Sequence, residues 1–166
     1  MRAWLVAAGM IGLLMEARPA AAQETGLAVG ARAPVVVVKD LDGQAVDLGR
    51  YIGTKPVLLE FWATWCEVCK ALMPTVRAAR NEFGNRVEFF GINVTVNQTP
   101  ERVRKYVAAE QPPFRTLYDE EGVSTRAYEA PTTSYIVIID RTGRVAYTGT
   151  GASQDLAAAL RSVIAQ

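Results

Sequence analysis

Cys66 and Cys69 are the only cysteines in this 166-residue chain, which contains no histidine. At Cys-x-x-Cys spacing they can form one internal disulfide. That bridge closes almost no loop, so it constrains the unfolded chain little, and a redox role explains the pair better than a stabilising one. A metal is poorly served, because structural zinc and iron–sulfur clusters ordinarily take four ligands. Without a third Cys or any His, a metal would need carboxylates or a second subunit. Haem attachment requires His directly after the second cysteine, where Lys70 stands. The missing histidines also exclude Ser-His and Cys-His hydrolases and histidine-ligated copper chaperones. The expected site has no metal and no cofactor, and its chemistry is exchange at sulfur.

Such a pair must be held at a defined place on the backbone. Pro56 opens the apolar run Val57-Leu58-Leu59-Glu60-Phe61-Trp62, which predicts a buried central strand. Val68, Leu72, Val76, Ala79 and Phe83 recur at helical spacing and predict a helix that ends at Gly84 and is kinked by Pro74. Cys66 falls at the junction, where unpaired N–H groups and the helix dipole favour thiolate over thiol. This makes Cys66 the exposed attacking nucleophile and Cys69, one turn inward, the more buried resolving thiol. Glu67 and Val68 lie between them as tuning residues. Lys70 adds positive potential that Glu67 opposes, and the sequence leaves the sign of the sum open.

The remaining elements are mostly strands. Val35 to Val38 and Gln44 to Val46 flank the turn Asp40-Leu41-Asp42-Gly43, a hairpin signal. Val87 to Val94, Phe114 to Tyr118, Ser134 to Ile139 and Val145 to Thr148 read as extended. Thr99 caps a helix running to Glu110, and Val123 to Tyr128 reads as irregular or a single turn. Ser153 is the expected cap of a last helix whose Leu156, Leu160, Val163 and Ile164 form one apolar face. The order implies an α/β sandwich around a mixed sheet. Half of the residues are hydrophobic and the net charge is +1 without a basic block, which argues against nucleic acid as a partner.

Residues 1–22 differ from the rest. Arg2 precedes the apolar stretch Ala3 to Met15, then Arg18-Pro19 and Ala20-Ala21-Ala22, as in a cleavable signal peptide with cleavage before Gln23. An uncleaved membrane anchor fits less well, because the run is short against the roughly 20 residues a span needs. The expected organisation is a signal peptide over 1–22, a flexible lead-in over 23–33 and one domain over 34–166, with the mature protein in the periplasm.

The stretch Leu58-Leu59-Glu60-Phe61-Trp62-Ala63-Thr64-Trp65-Cys66-Glu67-Val68-Cys69-Lys70 resembles the active-site segment of the thioredoxin superfamily, and more closely its exported TlpA/ResA-type branch. Pro74 matches the proline of the active-site helix. Ala130-Pro131-Thr132-Thr133 resembles the loop whose proline is cis, and the hairpin at Asp40 to Gln44 resembles the addition typical of the branch. The resemblance covers nearly all of residues 33–165. It implies a thioredoxin-like three-layer sandwich whose central mixed sheet carries an N-terminal β-hairpin. Glu60 then stands where thioredoxins place a buried acid and would accept the Cys69 proton, against the plainer reading of an acid at a solvated strand edge. Pro131 would lie against Cys66 in cis, with the Ala130 backbone free to pair with an extended substrate, and Trp65 would face that substrate.

Three departures from the family pattern stand out. No lysine accompanies Glu60 on the neighbouring strand around Phe89-Phe90-Gly91-Ile92. Leu72 replaces the acid that ResA-type proteins carry three residues after the second cysteine. Val68 replaces the proline common between the cysteines. The resemblance implies protein thiol or disulfide substrates, including apocytochrome c, and a membrane thiol reductant as electron donor. The alternatives are a peroxiredoxin-like thiol peroxidase, which would want a proline where Leu59 stands, a redox-silent binding or assembly module, and a disulfide-introducing oxidase, which Glu67 disfavours.

Overall fold

Strand β1 (Val37–Asp40) turns into β2 (Ala45–Asp47), and a 3-10 turn (Leu48–Arg50) leads to β3 (Val57–Trp62). Then come α1 (Glu67–Phe83), β4 (Glu88–Val94), α2 (Pro100–Glu110), β5 (Arg115–Asp119), α3 (Val123–Ala127), β6 (Tyr135–Ile139), β7 (Val145–Gly149) and α4 (Leu156–Ile164). This computed structural model describes residues 26–165. The expected signal peptide lies outside the described residues, and no described helix is long and apolar enough to cross a membrane.

The strands form one sheet in the order β2-β1-β5-β4-β3-β6-β7. Strand β3 is parallel to β4 and antiparallel to β6, so it is enclosed on both edges. All six of its residues are buried, as a continuous apolar strand requires. Its side chains alternate between two cores. Leu58 and Trp62 join the layer formed by α1, α2 and α4 through Leu72, Val103 and Leu160. Val57, Leu59 and Phe61 face the opposite layer with Leu48 and Tyr128. The expected α/β three-layer sandwich with a mixed sheet is the fold observed. The N-terminal hairpin extends the sheet by pairing β1 antiparallel to β5, and the Asp40 carboxylate shapes its turn by accepting the Asp42 and Gln44 N–H groups.

Three local expectations change. The first strand starts at Val37 rather than Val35, because its pairing with β2 begins with Val37 opposite Asp47. In α1 the buried stripe is Cys69, Leu72, Val76, Ala79 and Phe83. Val68, one position off that stripe, is exposed. The cap of α4 is Asp155 instead of Ser153, since the Asp155 carboxylate is the oxygen that reaches the Ala158 N–H, at 2.9 Å.

Gly91 on β4 lies directly opposite Glu60 of β3. A Cβ built on Gly91 would come within 2.2 Å of the Phe114 ring, so glycine is what lets this ring lie against the sheet. Gly91→Ala should therefore destabilise the protein by about 1–3 kcal/mol through overpacking. Urea denaturation measures this, and Phe114→Leu in the same chain should recover part of the loss. An unchanged midpoint for Gly91→Ala would mean the ring has room to move.

Candidate active site

The last buried residue of β3, Trp62, is followed by a turn in which the Cys66 N–H donates to the Ala63 carbonyl at 3.1 Å. Helix α1 begins at Glu67 with Cys66 as its N-cap, in an extended conformation. Helix starts leave N–H groups without backbone acceptors. Here the Cys66 Sγ takes one of them, accepting the Cys69 N–H at 3.0 Å. Cys66 and Cys69 are joined as a disulfide. A thiolate at the same place would accept the same N–H and sit at the positive end of the helix dipole, so the geometry favours an ionised Cys66 once the bridge is reduced.

Cys66 is less open than expected. It is 4% exposed against 1% for Cys69, so the order of exposure holds but both sulfurs belong to the buried apolar cluster with Trp62 and Leu72. Its Sγ is held against the first turn of the helix, bonded to the Cys69 sulfur and accepting the Cys69 N–H. The flanking charges also resolve. Lys70 Nζ lies 2.6 Å from the Glu67 carboxylate, so the two tuning charges beside Cys66 largely cancel at the surface.

Glu60 is fully buried on β3. Neither of its carboxyl oxygens has a hydrogen-bond partner. It alternates with Leu58 and Trp62 and therefore faces the same layer as the cysteines. Across the sheet from it lie Gly91 and then Thr116, whose hydroxyl is also unpartnered. No cation faces Glu60 from β4, in keeping with the missing lysine. Burial alone pushes its pKa from the ordinary 4.5 up to about 8. At neutral pH it is therefore mostly a neutral acid, able to give or take a proton.

The Pro131 loop differs from expectation. No peptide bond among the described residues is cis, Ala130–Pro131 included. The loop is bracketed by the left-handed residues Glu129 (φ 48°) and Ser134 (φ 63°), where the chain turns with the Ala130–Pro131 bond in trans. The Ala130 N–H donates to the Thr125 carbonyl at 3.0 Å, so it is not free for a substrate strand. The loop is still brought to the end of β3, where the Ser134 N–H donates to the Phe61 carbonyl at 2.7 Å. Trp65 is 46% exposed, and its indole N–H is tied to the Val96 carbonyl at 2.8 Å. Phe61 and Trp62 are core, as read from the sequence.

Three further residues belong to the site: Thr116 beside Glu60, and Asn93 and Gln98, which bond to the segment leading to Cys66. Asn93 Nδ2 donates to the Trp62 carbonyl at 3.4 Å. The Thr64 N–H donates to Gln98 Oε1 at 3.0 Å. Asn93 had a signal, as a polar residue inside an apolar strand. Gln98 sits in a polar loop and had none.

A Redoxin family model matches residues 28–163. The thiol-disulfide oxidoreductase ResA of Geobacillus thermodenitrificans is 31% identical over 144 residues, which is 85% of this chain and 81% of that protein. The thioredoxin-like protein YneN of Bacillus subtilis is 32% identical over 103 residues, which is 61% of this chain and 60% of YneN. The thioredoxin domain of a thiol-disulfide oxidoreductase from Bacteroides vulgatus superposes with a TM-score of 0.71 at 21% identity, covering 82% of this chain and 99% of that one. At that identity what is shared is the fold.

The raised pKa of Glu60 makes stability depend on pH. Between about 4.5 and about 8 the unfolded chain has released this proton while the folded protein holds it, so stability falls as pH rises through that interval. Glu60→Gln removes the titration. Urea denaturation between about pH 5 and pH 8 should show the parent losing about 3 kcal/mol more than the variant. Parallel losses would mean that Glu60 holds no such proton.

Proposed function

We propose, on the premise that this chain belongs to the Redoxin family and is a thioredoxin-type thiol–disulfide oxidoreductase, that it works as a reductant of disulfides in exported proteins. The observation that carries this reading is the Cys66–Cys69 disulfide at the start of α1, with Cys66 Sγ accepting the Cys69 N–H. The pair thus closes and opens as one dithiol–disulfide couple at the helix start.

In the reduced protein the Cys66 thiolate attacks one sulfur of the substrate disulfide. A mixed disulfide forms, and the other substrate sulfur leaves as thiolate. Cys69 then gives its proton to Glu60 in its ionised form, the minor form at neutral pH and the main one above about pH 8, and attacks Cys66 Sγ. The second substrate thiolate leaves, and the two electrons have passed from the protein to the substrate. A pKa of about 8 suits Glu60 to this task, since it both takes and returns a proton near neutral pH. A thiol donor, for which we propose a membrane reductant, restores Cys66 and Cys69. Trp65, the exposed Pro131 and the Ala130 carbonyl are the groups we assign to substrate contact. Apocytochrome c, with its closely spaced cysteines, is the first protein substrate to test.

The periplasm is the proposed compartment, supported by Arg2, the apolar Ala3 to Met15 and the small residues Ala20 and Ala22. Expressed from its full sequence in a Gram-negative host, the protein should be recovered from the periplasmic fraction with Gln23 as its first residue. Recovery in the membrane with Met1 retained would assign residues 1–22 to an anchor.

Cys69→Ser should trap a mixed disulfide through Cys66 when incubated with an oxidised periplasmic extract, and the additional Cys66→Ser should abolish trapping. Equilibration of the parent with glutathione or dithiothreitol should place its potential near about −270 mV, as for a reductant. A potential near about −120 mV would make it an oxidant, and absence of any trapped protein would end the case for protein substrates.

A further inference from the structure

One side chain that takes no part in the sulfur chemistry joins several elements around it. Gln98 lies in the loop between β4 and α2. Its Oε1 accepts the Thr64 N–H at 3.0 Å and the Asn93 Nδ2 at 3.4 Å. Its Nε2 donates to the Asn97 carbonyl at 2.9 Å, and its own backbone carbonyl accepts the Tyr118 hydroxyl at 3.4 Å. Asn97 is held in the left-handed region at φ 55°, and its carbonyl also accepts from Arg102 at 2.8 Å. The loop is thus fixed to α2, β4 and β5, and through Thr64 to the two residues before Cys66.

The same loop holds the next residue as well. The Trp65 indole N–H donates to the Val96 carbonyl at 2.8 Å. The two residues so joined are both exposed and apolar, Trp65 46% and Val96 60%. A tryptophan pinned through its N–H has already lost much of its rotamer freedom. An apolar partner placed on it gains buried area without a further ordering cost.

We propose that Gln98 is a positioning residue that clamps the Thr95–Gln98 loop to the approach to Cys66. Val96 and Trp65 then form one fixed apolar wall, which selects substrates carrying an aliphatic side chain next to the reacting cysteine. This rests on the proposed reduction of protein disulfides. A carboxamide suits the clamp because its oxygen serves two donors while its nitrogen serves a carbonyl. Methionine has a similar length and makes neither set of bonds. Glutamate keeps the acceptor for Thr64 and Asn93.

The test uses two synthetic peptides, each with one internal disulfide, that differ only in Leu or Ser beside a cysteine. Glutathione disulfide serves as a small control. The parent should favour the Leu peptide through KM by about five- to ten-fold, with kcat alike for both. Gln98→Met should abolish the preference, raising KM for the Leu peptide several-fold more than for the Ser peptide or for glutathione disulfide. Gln98→Glu should retain most of the preference. Val96→Ser, which keeps the backbone carbonyl for Trp65, should lose it.

No preference in the parent overturns the proposal, as does a preference that survives in both Gln98→Met and Val96→Ser. An equal loss by Gln98→Met on both peptides and on glutathione disulfide also overturns it, since that is a merely structural effect. A parent that exchanges with glutathione disulfide but with neither peptide removes the protein-substrate reading, and this proposal with it.

Discussion

The hydrogen bond from the Cys69 N–H to Cys66 Sγ is the contact on which the arrangement turns. A helix start has donors to spare, and an N-cap residue normally supplies an oxygen to one of them. Here a sulfur does so. The sulfur of Cys66, proposed as the group that ionises, is therefore placed where negative charge is best tolerated, and Cys69, proposed as the group that attacks it, is one helical turn away. Neither condition depends on Glu67 or Lys70, which neutralise each other at the surface. Placement of the sulfur depends on where β3 stops, and that is fixed by β4 and β6 on its two edges.

The same enclosure explains Glu60. A residue in the middle of a strand covered on both faces and paired on both edges cannot reach water, and the pairing leaves its carboxyl without a partner. A carboxyl in this position weakens the fold at neutral pH and gives up its proton only near pH 8. Gly91 and Phe114 sharpen the effect, because the glycine opposite Glu60 admits an aromatic ring where a longer polar chain could have stood. The absence of a lysine on β4 is therefore a packing choice as much as an electrostatic one. Its result is a carboxyl tuned by burial rather than by a charge partner.

Whatever is encoded by local pattern could be read from the sequence. The buried run at Val57 to Trp62, the stripe through Leu72, Val76, Ala79 and Phe83, and the hairpin turn at Asp40 to Gly43 each follow from a period or a turn preference acting over a few residues. Val68 was misplaced because its apolar character satisfied the helical period one position away from the true stripe, where Cys69 does the packing. The Pro131 loop was misread because the sequence shows a proline but neither the trans bond before it nor the left-handed Glu129 and Ser134 that bracket the loop. Thr116 and Gln98 were invisible for a simpler reason. Their importance comes from bonds and neighbours that the sheet brings together across some 34 positions for Thr64 and Gln98, and no periodicity reports that.

These non-local contacts divide the labour around Cys66. Backbone geometry at the head of α1 places the sulfur at the positive end of the helix dipole, and Glu60, buried on the same side of the sheet, holds its proton out of reach of solvent. The substrate contact proposed for Trp65 and Val96 uses side chains on loops, where the fold leaves these apolar groups exposed. A loop residue discriminates between partners only if it is as well fixed as the sulfur beside it, because a mobile side chain loses in ordering what it gains in contact. The Thr95–Gln98 loop meets that condition through bonds to three neighbouring elements and to the Cys66 approach. Reactivity and selectivity thus rest on different atoms, and substitutions in that loop can alter the choice of substrate while the helix start keeps the chemistry constant.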